Sequence, residues 1–152
     1  MSAYALAAVR TGLTQATSVT SIVPAARIYT SYRDSATLPC IVLTPRNDSA
    51  ISPSLGRTDK LRRLVIDIDC ISTSLKLSRV LAEAVRVKMH GTGGTANTTD
   101  IVEIREKGVT STYDIGVEAS ETGVHVTTVT VEATYTASAV SPIIITTEGG
   151  GV

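Results

Sequence analysis

Two carboxylates, Asp67 and Asp69, stand two residues apart in the segment LVIDIDCI, residues 64–71. Strict alternation puts both on one face of a strand, where they could begin a cation site. Coordination asks for three or more converging ligands, and this segment names only two. A solvated or partner-facing surface is the simpler reading. The two histidines, His90 and His125, offer a base, and Cys40 a nucleophile, but nothing in the sequence places such a pair together. Cys40 and Cys70 both fall within apolar strand patterns and read as small buried thiols, as in a reducing cytoplasm.

Two further patterns could hold phosphate. Residues 91–96, GTGGTA, match the letters of a dinucleotide fingerprint. That motif must follow a strand and open a helix, whereas here it follows a helical pattern and precedes a strand. It reads as a flexible loop. Arg57, Lys60, Arg62 and Arg63 form the one basic cluster. They could meet phosphate or an acidic protein surface, or simply guard a solvated strand edge against stray pairing.

The elements that position these residues follow from periodicity. Residues 4–13 predict a helix with Ser2 as N-cap and Leu6, Val9 and Leu13 on one face. Short strands are expected at 27–29 and at 40–43, the second introduced by Pro39 and closed by Pro45. Residues 46–60, RNDSAISPSLGRTDK, carry turn formers throughout and predict a long loop or the tip of a protruding hairpin. Loops of this length tend to be functional, so this is the first candidate for a partner-binding element.

After the strand at 64–71, Ser72 or Thr73 is expected to cap a helix running to about residue 90. Its predicted stripe is Leu77, Val80, Leu81, Ala84, Val85 and Lys88, and Gly91 is the expected residue past its end. A loop at 92–99 leads to a strand at 101–105, a turn at Lys107-Gly108 and a strand at 109–117. The last strand, 124–136, switches the phase of its apolar positions, which predicts a bulge or bend near Thr127-Thr128. The sum is an α+β fold: a mostly antiparallel sheet with two helices packed on one face and long loops between strands. Residues 1–137 form a single expected domain. Residues 138–152 form a tail whose Ile143 to Ile145 run is either a loose terminus or a strand for a neighbouring subunit.

Composition narrows the function. With 43% hydrophobic and 18% charged residues, the 152-residue chain is globular. It has five Tyr but no Phe or Trp, so its core lacks the large rings that supply much buried area, a hint of stability gained by assembly. Fourteen basic residues balance fourteen acidic ones, which argues against a direct duplex-DNA binder. The start lacks the pattern of a signal peptide, and no apolar run is long enough for a membrane span, so a soluble protein made in the cytoplasm is expected.

The order of Arg27-Ile28-Tyr29, a loop, Leu38-Pro39-Cys40-Ile41-Val42, a long loop, the alternating strand and a helix of the pattern LxxVLAEAVR resembles the tail terminator, or tail completion, proteins of tailed bacteriophages. The resemblance covers roughly residues 3–90. It implies a structural virion protein, not an enzyme, with no cofactor and no membrane. Such proteins form a ring, commonly a hexamer, at the head-proximal end of the tail tube. The ring stops tube polymerisation and presents a surface to the head-tail connector or stopper protein, while DNA passes through its lumen unread.

On this view Arg46, Asn47, Asp48, Ser54, Arg57, Lys60 and Arg62 are expected to reach the tube protein or the adjoining subunit. Asp67 and Asp69 would face the lumen or a neighbour as an acidic lining along which DNA slides. Another neck ring component or a tube-like subunit is the nearest alternative. A small enzyme and an adaptor that binds peptide by strand addition are the alternatives from other classes.

Overall fold

Alternation of apolar side chains sets the centre of the sheet. In the computed structural model, which describes residues 2–31, 37–51, 60–96, 99–114 and 123–137, strand β3 (Lys60–Ser72) buries Leu64, Ile66, Ile68 and Cys70 on one face. Strand β6 (Val124–Ala137) lies beside it in unbroken antiparallel register and buries Thr127, Val129, Val131, Ala133 and Tyr135 on the same face. Strand β2 (Cys40–Ala50) flanks β3, and β5 (Thr99–Asp114) flanks β6. With β1 (Ile28–Tyr29) and β4 (Gly94–Ala96) outermost, the order is β1-β2-β3-β6-β5-β4. Among the described strands, only the β1–β2 pairing is parallel.

The helices cover one face. Helix α1 (Ser2–Thr14) and α3 (Leu75–Met89) pack with the short α2 (Thr17–Thr20) over the apolar side of the strands, and their buried residues join one cluster with those of the sheet. The α+β architecture expected from the sequence is the one observed, with α2 as an addition. Arg10 ties α1 to the sheet edge, donating from Nε to the Ile28 carbonyl at 2.7 Å and from Nη2 to that of Ala25 at 3.0 Å.

Several local expectations are corrected. Pro45 does not close β2, which continues to Ala50. Past Val42 no described strand flanks its outer side, and a missing N–H costs little on an edge. Lys107-Gly108 is not a turn but a register shift inside one long β5. The phase switch of β6 is no bulge: Val124 and Val126 lie on the opposite face, and Thr127 holds the core position that the apolar pattern skips. The segment 92–99 contains β4.

On α3 the cap is Ser74, whose Oγ accepts from the Leu77 N–H at 3.3 Å. Its buried line runs through Ser78, Leu81, Ala82, Val85 and Met89, while Val80 is 47% exposed. Small residues at 78 and 82 let the helix approach the sheet closely, which turns Val80 outward. Gly91 ends the helix with φ 78°, as expected of that position. The tail at 138–152, like 115–117 of the expected strand, lies outside the described residues.

Candidate functional site

The candidate site is the far end of the β2–β3 pair together with the face of the sheet that no described helix covers, here the uncovered face. Register places Pro45 opposite Ile66 and Asn47 opposite Val65, so one extra residue enters β2 between them. Such a bulge shifts the alternation by one. Arg46 therefore points to the uncovered face, where its Nη1 lies 2.6 Å from Asp67 Oδ2. Asp48, opposite Leu64, turns to the helix-covered face.

There Asp48 meets two partners from two other strands. The Tyr135 hydroxyl donates to both carboxylate oxygens, at 2.9 Å and 3.0 Å. Arg62 donates from Nε to Oδ1 at 3.1 Å and from Nη2 to the Asp48 carbonyl at 3.3 Å. Burial and the neighbouring carboxylate push the phenol up to about 12, while the hydrogen bond to Asp48 raises the guanidinium above its ordinary value. Sequence reasoning named Asp48 and Arg62 but missed Tyr135, which sits 87 residues from Asp48 along the chain. A polar tip on an otherwise apolar strand face was the available signal.

On the uncovered face every described acid near the centre is answered within the chain. Thr130 donates to Asp67 at 2.8 Å, and Thr128 to Asp69 at 2.7 Å. Glu132 lies 3.3 Å from Arg63 and 4.0 Å from Lys107. Burial raises Asp69 above the usual carboxylate range, against the hydrogen bond from Thr128, and the Asp67 charge adds to the rise.

The residues expected to form one contact surface divide between the two faces of the sheet. Arg46 joins Asp67 on the uncovered face, while Asp48 joins Arg62 on the other. Asn47 is exposed beside Arg46 at the bulge. Lys60 begins β3, and Ser54 and Arg57 lie outside the described residues. The residues of the dinucleotide-like pattern do something other than cradle phosphate. The Gly91 N–H donates to the Ile104 carbonyl at 2.7 Å, and a Cβ on Gly93 would stand 2.7 Å from the Val102 carbonyl oxygen. These glycines let the backbone lie against β5.

Cys40 and Cys70 are free and buried, and burial raises both thiols, which keeps them protonated. Among the described residues, no three of His, Cys, Asp or Glu converge on a metal position. Among them, too, no helix is long and apolar enough to cross a membrane.

Comparison with known proteins gives the class to which this fold belongs. Residues 7–136 match the family Tail completion protein gp17, and the chain belongs to that family of phage tail structural proteins. The fold is similar to a chain in the virion of a native gene transfer agent particle, with a TM-score of 0.64 at 14% identity. That match covers 86% of this chain and 93% of the other. A search of curated proteins finds no significant match.

Proposed function

We propose that copies of this chain close into a ring, hexameric in the family pattern, on the head-proximal end of the phage tail tube. The ring ends tube growth and offers its other side to the head-tail connector or stopper protein, placing the protein in the neck of the virion. Its work is contact, not catalysis. Membership of the tail completion family carries the reading. The bulge in β2 supports it, because Arg46 and Asn47 stand exposed there on a strand held in the sheet.

Asp67 and Asp69 face the lumen or the next subunit. Arg46, Arg63 and Lys107 share their face with Asp67, Asp69 and Glu132, so the pull of the cations on phosphate is offset locally. A passing duplex then releases few counterions and is not held. The test is native mass measurement, followed by addition to tails lacking the protein. A closed ring of about six subunits that restores tails of fixed length and their joining to heads supports the proposal. A monomer that leaves tails overgrown ends it.

A further inference from the structure

Resting on that reading, we infer that Tyr135 is a positioning residue: its hydroxyl, with Arg62, holds Asp48 and so fixes the bulged end of β2, which presents Arg46 and Asn47, against β3 and β6. Three adjacent strands contribute one residue each to this contact, all on the helix-covered face. The Tyr135 residue is fully buried and its ring belongs to the apolar core, so the hydroxyl is a fixed point. Donating to both oxygens of Asp48 leaves the carboxylate little freedom to turn.

Arg62 then braces β3 against the same carboxylate and against the Asp48 backbone. The bulge after Pro45 is what brings Asp48 to this face; plain alternation from Leu43 would have sent it to the other. Asp48 and Arg62 are thus committed inside the chain, and the contact with the tube or neighbour falls to the bulge residues Arg46 and Asn47. Arg46 keeps 63% of its side chain exposed even while paired with Asp67.

The test uses the full chain carrying Tyr135→Phe, which keeps the ring and removes the hydroxyl. Amide hydrogen exchange at Ala50, Leu61 and Arg62 should quicken about tenfold, the effect expected for one lost hydrogen bond to a charged group, while Ile66 and Ile68 stay protected. Capping of tails should then need correspondingly more protein. Unchanged exchange at Ala50, Leu61 and Arg62 overturns the inference, as does quickened exchange with capping as efficient as wild type. If quickened exchange occurs but wild-type protein itself caps no tails, the latch stands and the functional reading falls. Asp48→Ala, which removes the acceptor and leaves the Tyr135 ring in place, gives the same readout should the Tyr135 variant fail to fold.

Discussion

The hydroxyl oxygens of Ser78 on α3 and Thr127 on β6 lie 3.0 Å apart, and both residues are buried. Ser78 also donates to the Leu75 carbonyl at 3.0 Å, which leaves its oxygen able to accept from Thr127. Thr127→Val strands the Ser78 oxygen without that donor and should cost about 1–3 kcal/mol in urea unfolding. Adding Ser78→Ala to Thr127→Val should recover part of the loss, because both polar groups then disappear together. A double variant less stable than the sum of the single ones would show that the pair is not coupled as described.

Asp69 should make the protein less stable as pH rises through its raised native value. A carboxyl whose folded pKa exceeds 3.8 holds its proton more tightly in the native chain than in the unfolded one. Stability from this group is therefore complete below 3.8 and declines above it until the native carboxyl has ionised. Asp69→Asn, which can still accept from Thr128, should be the more stable protein at neutral pH. Its advantage should vanish in acid, as followed by thermal melts across that range.

Removing the carboxylates of Asp67 and Asp69 should convert an indifferent surface into a sticky one. Arg46 then loses its partner while Arg63 and Lys107 remain nearby. In a gel-retardation assay the wild-type assembly should let duplex DNA run freely. The Asp67→Ala, Asp69→Ala protein should hold it at about 50 mM salt and release it by about 200 mM. Equal mobility in both cases would remove the proposed role of the pair.

The orientation of α3 is tested by two valine or leucine truncations one residue apart. Leu81 is fully buried and Val80 is largely outside. Leu81→Ala should lower the unfolding free energy by about 2–5 kcal/mol, and Val80→Ala should change it by less than about 0.5 kcal/mol. Comparable losses would mean that the helix is turned the way its sequence stripe suggested.

What could be read in the sequence was what depends on local pattern. Alternation from Leu64 to Cys70 placed β3 and its two faces, and Gly91 marked the end of α3, because each signal lies within a few residues. The readings that failed needed a neighbour. Whether Pro45 ends a strand depends on what lies beyond the edge, and whether Lys107-Gly108 turns or bulges depends on β6 continuing opposite. Val80 looked like a core position until Ser78 and Ala82 proved to be the residues against the sheet.

The geometry of the candidate site was legible only in outline. Its location in the β2–β3 segment followed from length and polarity, and the shared face of Asp67 and Asp69 from a period of two. That Asp48 turns away from Arg46 follows from a single inserted residue, and that it meets Tyr135 follows from the strand order. Neither is written in any short stretch of chain.

Pro45 has a last consequence, for the life of the subunit before it is built into a tail. Past Val42 no described strand lies along the outer flank of β2, the side on which a second copy could add a strand. A proline there denies an incoming backbone one of the rungs it would need, so haphazard fibril growth along this flank is discouraged.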